Sequence, residues 1–162
     1  MVNIVIEVSK YLLILLIAAY TYWNFSYFRF RDPWQQGRVC VRQNVAMFLL
    51  HFVAYAVLFL KSEDERVILF YAAQVIFLAV YLGLYKVFYP LRSRLLVNNM
   101  CMLLCIGFVI LTRLDFDKAI RQFVIVAISA LITWIIPFIL ERVWQLANIP
   151  WVYGFAGLAL LI

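Results

Sequence analysis

Six stretches of this chain contain no Lys, Arg, Asp or Glu, and each is 18 to 20 residues long. They cover residues 11–28, 43–60, 67–85, 95–112, 122–140 and 143–162. An α-helix rises about 1.5 Å per residue, so a helix of this length crosses the roughly 30 Å hydrocarbon layer of a bilayer. A soluble fold rarely repeats that length six times. We therefore expect an integral membrane protein.

The composition agrees with this interpretation. Hydrophobic residues make up 68% of the 162 residues and charged residues only 14%, which is too little charge to cover the surface of a soluble domain. In lipid, every backbone polar group must be bonded within the protein, so only helices or a closed barrel can span the membrane. The apolar runs lack the period-two alternation of barrel strands. The sequence therefore predicts an all-α polytopic bundle.

The charges between the runs predict the topology. The connections 29–42 and 86–94 together carry seven basic residues and one acid, whereas 61–66 carries two bases and three acids. Because cytoplasmic loops are enriched in Lys and Arg, the first two are expected inside and the third outside, with the N-terminus outside. The inner side then has a net charge of +6 and the outer side of zero. The basic residues are scattered singly, which argues against a nucleic-acid partner.

The first and last runs need separate treatment. The first run is preceded by Glu7 and Lys10 rather than by a basic segment, and no small-x-small cleavage site follows it. We therefore expect a retained helix rather than a signal peptide. The last passes through Gln145, Asn148 and Pro150, which leaves an apolar part of about 18 Å. The prediction is five full spans, a truncated sixth span, and an N-terminal piece of a longer polytopic protein.

Candidate chemistry is sparse. Cys101 and Cys105 share a helix face, but Cys40 is distant and no His or carboxylate is near, so they cannot fill a tetrahedral zinc site and are interpreted as packing residues. We find no nucleophile with a general base and no phosphate-binding glycine loop. The sequence predicts no metal, no cofactor and no catalytic residue in this segment.

Four of the polar residues within the apolar runs are candidates for a specific role. His51 is near the middle of the second run, where an ionisable group indicates either a proton or ligand role or a neutral hydrogen bond between helices. Gln74, Asn98 and Asn99 are expected to hydrogen bond between helices or to lipid headgroups. A structural role is favoured for all three.

The segment from residue 95 onward carries a family resemblance. It contains IGFVILTRLD at 106–115 at the end of one helix, and AIRQF at 119–123 at the start of the next. This order and spacing resembles the opening of the FtsW/RodA/SpoVE (SEDS) family. The resemblance covers about 95–162. In the family the loop between the first two helices is outside, and the charge pattern of this chain predicts the same side. The resemblance leaves 1–94 as a three-helix N-terminal extension of open role.

The resemblance implies a multi-pass protein of the bacterial cytoplasmic membrane that acts in cell division or cell shape. Members of the family polymerise peptidoglycan glycan strands from lipid II, and a single-pass transpeptidase of the penicillin-binding type is the implied partner. Their proposed catalytic carboxylate lies in a large outer loop of the second half. This sequence does not contain that loop.

One substrate-binding residue follows from the same resemblance. The family often has Arg before the Gln that corresponds to Gln122, so Arg121 is expected to meet a lipid-linked pyrophosphate. The alternative is an interfacial anchor, paired with Asp117. The competing function is a small non-enzymatic polytopic scaffold of the bacterial envelope. An ion or proton carrier would need paired buried charges, and His51 alone is too little.

Overall fold

The computed structural model describes residues 2–89, 93–142 and 150–161. In these residues the regular secondary structure is α-helical. The helices are α1 (Val2–Arg29), α2 (Pro33–Ser62), α3 (Glu65–Phe88), α4 (Arg94–Leu114), α5 (Phe116–Arg142) and α6 (Pro150–Leu161). The predicted all-α class is confirmed for the described residues.

Five of these helices, α1 to α5, contain segments of 20 to 30 residues that are long and apolar enough to cross a membrane. Large apolar side chains point away from the protein along them, as at Leu69, which is 73% exposed, and Leu103, which is 71% exposed. Such exposure is unfavourable in water and natural in lipid. The prediction of five helices long and apolar enough to span a membrane is confirmed for the described residues. The truncated sixth span, where α6 has 12 residues, and the orientation stay predictions.

The second helix begins earlier than the charge pattern indicates. The Asp32 side chain accepts a hydrogen bond from the backbone N–H of Trp34 at 3.2 Å, and Pro33 occupies the first helical position. Arg38 lies over the Trp34 ring, 4.8 Å from its centroid. The stretch 29–42, interpreted from sequence as a connection, therefore consists largely of the first turns of α2, because an acidic cap and a proline start the helix there.

The turn between α2 and α3 is only two residues long. Glu63 adopts the left-handed conformation, with φ of 51°, and its N–H donates to the Phe59 carbonyl at 2.8 Å. The Asp64 carboxylate then accepts from the backbone N–H of Arg66 at 2.9 Å and caps α3. Glu63 thus ends α2 and Asp64 begins α3, so the two helices form a tight antiparallel hairpin.

A single residue joins α4 to α5. The N–H of Asp115 donates to the Leu111 carbonyl at 2.8 Å, and its carboxylate accepts from the backbone N–H of Lys118 at 3.1 Å. Asp115 thus caps both helices. We call the end of the bundle that carries Glu63, Asp64 and Asp115 the turn end.

The chain forms two compact units, 1–123 and 124–162. In the first unit, α2 is central and packs against α1, α3 and α4, while α3 also packs against α4. The main buried cluster contains Tyr20, Ala46, Met47, Leu50, Leu78, Val97, Cys101, Met102 and Cys105. Cys101 and Cys105 are fully buried in this core, as their interpretation as packing residues requires. The predicted boundary between residues 94 and 95 stays a prediction.

Candidate functional site

A network of amide side chains joins three helices of the first unit. Asn98 on α4 donates to the Cys40 carbonyl at 3.0 Å and to Oε1 of Gln43 at 3.1 Å. Gln43 on α2 in turn donates from Nε2 to Oδ1 of Asn24 on α1 at 3.1 Å. Gln43 uses both the oxygen and the nitrogen of its side-chain amide. Asn98 donates both of its hydrogen bonds from its side-chain nitrogen. The structural role predicted for Asn98 is confirmed.

The neighbouring asparagine makes a separate bond to the first helix. The Tyr20 hydroxyl donates to Oδ1 of Asn99 at 2.9 Å, across 79 residues of sequence. Tyr20 is buried in the main cluster, so its hydroxyl is removed from solvent together with the ring. Asn99 therefore also bonds between helices, as predicted.

A second polar group, formed by His51 on α2 and Gln74 on α3, behaves differently. Both side chains are fully buried. Within the part of the chain that the structure describes, neither ring nitrogen of His51 and neither amide atom of Gln74 has a hydrogen-bond partner. The Gln74 amide lies close to the Tyr55 hydroxyl without reaching hydrogen-bond geometry. The interhelical bonds expected from the sequence for these two residues are therefore not made here.

Aromatic rings enclose His51. Its ring centroid is 4.8 Å from that of Tyr55 and 5.3 Å from that of Tyr71. On the other side, these two tyrosines line a cleft of about 250 Å³ whose walls are almost entirely apolar. His51 itself does not line this cleft. Its immediate surroundings are aromatic.

The Tyr55 hydroxyl connects this layer to α4. It lies 2.8 Å from Oγ1 of Thr112, and that oxygen is 2.7 Å from the Phe108 carbonyl. A threonine hydroxyl has one proton, which Thr112 donates to the carbonyl, so Tyr55 must be the donor in the first bond. The chain of hydrogen bonds ends at a backbone carbonyl within α4. A proton passed from Tyr55 to Thr112 would find no further titratable acceptor along it.

These contacts limit the chemistry of the buried layer. An unpaired buried polar group is destabilising and calls for an explanation, and here there are two in adjacent helices. The described residues contain no cluster of three His, Cys, Asp or Glu side chains that could hold a metal ion. Among the residues that the structure describes, no carboxylate lies beside His51 to act with it as an acid–base pair. Among the described residues, the layer therefore combines two unpaired polar side chains with no group of side chains that could hold a metal ion.

Arg121 lies apart from this layer. It is exposed on the second turn of α5, five residues after the helix begins. The ion pairs among the described residues join Lys10 to Glu7 and Lys118 to Asp115. The alternative pairing of Arg121 with Asp117 is not formed, so no described carboxylate neutralises the guanidinium. The role predicted for Arg121 stays a prediction.

Sequence reasoning missed Tyr55, Tyr71 and Thr112. Tyr55 follows His51 by four residues and shares its helix face, which is a usable signal. Thr112 lies 57 residues from Tyr55, and its role depends on how α4 packs against α2. Comparisons with known protein families, with curated proteins and with solved structures find no match for this chain.

Proposed function

We propose that this chain is the N-terminal membrane portion of an FtsW/RodA/SpoVE-like protein that polymerises peptidoglycan glycan strands from lipid II in the bacterial cytoplasmic membrane. In this proposal the chain supplies membrane helices and a contact for the lipid-linked substrate. The catalytic carboxylate belongs to a loop outside this sequence. A penicillin-binding transpeptidase with a single span is the proposed partner.

The α4–α5 hairpin carries the proposal. The residues of the resemblance, 106–115 and 119–123, fall on the end of one membrane-length helix and the start of the next. Asp115 joins the two helices and caps both, which fixes the start of α5. Arg121 then lies about 8 Å along the helix axis from Phe116, and one residue before the charge-free run 122–140, so the proposal puts it near the membrane boundary. That position suits contact with a pyrophosphate at headgroup level.

The lack of an ion-pair partner among the described residues supports the same role for Arg121. Its guanidinium is exposed and in no described ion pair, whereas the neighbouring cation Lys118 already bonds Asp115 at 3.1 Å. A guanidinium presents two parallel donors to a phosphate, which a lysine ammonium does not. Of the cations near the start of α5, Arg121 is therefore the better placed for pyrophosphate.

The test uses the full-length protein and labelled lipid II. Arg121→Ala should weaken substrate affinity by about tenfold or more, because a charge-assisted hydrogen bond contributes roughly 1.5–3 kcal/mol. Arg66→Ala, which removes a cation from the same end of the bundle, should leave affinity and polymer yield unchanged. Polymerisation with undiminished affinity in Arg121→Ala would remove the proposed contact. A full-length protein that forms no polymer would favour the non-enzymatic scaffold.

A further inference from the structure

A cleft of about 380 Å³ opens at the turn end of the first unit. Residues from α1, α2, α3 and α4 line it. The lining includes the hydroxyl side chains of Ser62 and Thr112, and six of its ten residues are apolar: Leu13, Ala54, Val57, Leu58, Val67 and Val109. Its volume is at the lower end of the range of about 300–1,000 Å³ that is typical of ligand sites. The cleft therefore has room for a small group or for part of a larger molecule.

Two cations line the mouth of this cleft. Lys61 comes from the end of α2 and Arg113 from the end of α4, and both residues are exposed. The lining contains no carboxylate, and neither cation belongs to an ion pair among the described residues. An anion at the mouth would meet two positive charges from two different helices.

The acids near the mouth are engaged elsewhere or lie outside the lining. Asp64 uses its carboxylate to cap α3, and Asp115 bonds Lys118. Glu63 and Glu65 belong to the α2–α3 turn and the start of α3 and do not line the cleft. They reduce the local positive potential, but neither places a carboxylate in the lining of the cleft.

The positions of the cations and of the apolar lining along the helix axes indicate the class of ligand. Lys61 follows the charge-free run 43–60 by one residue, and Arg113 follows the run 95–112 by one. Both cations therefore lie where the hydrocarbon layer ends and lipid phosphates begin. Ala54 is seven residues before Lys61 on the same helix, about 10 Å deeper. A free phosphate would use only the mouth, whereas a phospholipid would use the mouth and the apolar walls together.

We propose that this cleft binds one anionic phospholipid of the surrounding bilayer. Its phosphate lies between Lys61 and Arg113, and the upper part of one acyl chain lies against the apolar walls. The rest of the lipid continues into the bilayer, because the cleft is open on one side. The inference does not depend on the proposed polymerase function, since it rests on the cleft and its two cations alone.

Native mass spectrometry of the full chain tests the proposal, with phosphatidylglycerol and phosphatidylcholine added to the same detergent. The wild-type chain should retain one phosphatidylglycerol in preference to phosphatidylcholine. A cation near the membrane surface contributes about fivefold to the affinity for anionic lipid, so Lys61→Gln with Arg113→Gln should weaken retention by about thirtyfold. The control, Arg66→Gln with Lys118→Gln, removes two charges from the same end and should retain the lipid.

A second variant tests the apolar walls without changing charge. Val57→Phe fills the cleft and should reduce retention of phosphatidylglycerol severalfold, with an unchanged thermal midpoint in lipid-free detergent as the check on folding. Equal retention of the two lipids, or an equal loss in the control variant, would overturn the proposal. Competition by inorganic phosphate, with retention undiminished in Val57→Phe, would show a simple anion site and would also overturn it.

Discussion

The hydroxyl of Tyr55 donates a hydrogen bond to Oγ1 of Thr112 across 2.8 Å, and this bond ties the central helix α2 to α4. Both residues are buried, Tyr55 at 3% exposure and Thr112 at 9%. Interhelical hydrogen bonds in membrane proteins contribute about 0.6 kcal/mol on average and up to about 1.7. The Tyr55–Thr112 bond should lie toward the upper part of that range, because Thr112 is already oriented by its bond to the Phe108 carbonyl.

A double-mutant cycle measures this bond. Tyr55→Phe and Thr112→Val should each destabilise the first unit, and the pair should show a coupling energy of about 1 kcal/mol in SDS-driven unfolding from mixed micelles. Thr21→Val is the control, since Thr21 is exposed and bonds only within its own helix, to the Ile17 carbonyl. A coupling energy near zero would show that the Tyr55–Thr112 bond contributes nothing.

Two fully buried glutamines offer a matched comparison. Gln43 has both amide ends bonded, to Asn24 and Asn98, whereas Gln74 has neither end bonded to a described group. Removing a bonded amide leaves its partners unpaired, while removing an unbonded one relieves a desolvation penalty. The two substitutions should therefore have opposite signs although the residue type and burial are the same.

We expect Gln43→Met to destabilise the protein by about 1–2 kcal/mol and Gln74→Met to stabilise it by about 1 kcal/mol. Methionine keeps the approximate volume, so packing changes little. Unfolding in mixed micelles gives both values under the same conditions. Destabilisation by Gln74→Met would mean that its amide is satisfied, most simply by a buried water shared with His51.

The hydrophobic pattern predicts much of this fold. Helices α1 to α5, which are long and apolar enough to cross a membrane, contain the runs 11–28, 43–60, 67–85, 95–112 and 122–140, because crossing the bilayer demands a minimum apolar length. The pattern does not predict where the helices end, since a helix continues through water for as long as caps and backbone bonds allow. Pro33 begins α2 ten residues before the second run for this reason.

The polar layers are only partly predictable from sequence. His51, Gln74, Asn98 and Asn99 are recognisable because polar residues are rare in apolar runs. Which of them find partners depends on the rotation of each helix about its axis, and a weakly amphipathic span does not encode this. The cleft mouth at Lys61 and Arg113 joins residues 52 apart in sequence, and only the packing of α4 against α2 shows that they share it.

The charge asymmetry makes a prediction about orientation. In a chain whose buried native cysteines are replaced by alanine, Ser62→Cys should react with a membrane-impermeant maleimide on intact cells. Gln35→Cys should react only after lysis, because the arginine-rich start of α2 is expected in the cytoplasm. Both positions are exposed, so burial does not confound the comparison. The reverse labelling pattern would invert the topology and remove a main argument for kinship with the polymerase family.

The turn at Asp115 makes a prediction about acid stability. The backbone N–H of Lys118, together with its side chain, stabilises the ionised carboxylate and lowers the pKa of Asp115 in the folded protein. In the unfolded chain an aspartate has a pKa of about 3.9. Because the folded pKa is the lower one, the stabilisation is fully present at pH values above the unfolded pKa. It is lost as the pH falls through the folded pKa.

Asp115→Asn removes this titration while keeping a side-chain oxygen that can cap α5. The variant should therefore lose less thermal stability than the wild type as the pH falls below about 4. Asp117→Asn is the control, since Asp117 takes part in neither ion pair among the described residues and should leave the wild-type profile unchanged. The measurement is the thermal midpoint in detergent across the acidic range. Parallel profiles for Asp115→Asn and the wild type would mean that the Asp115 carboxylate does not couple folding of the α4–α5 hairpin to pH.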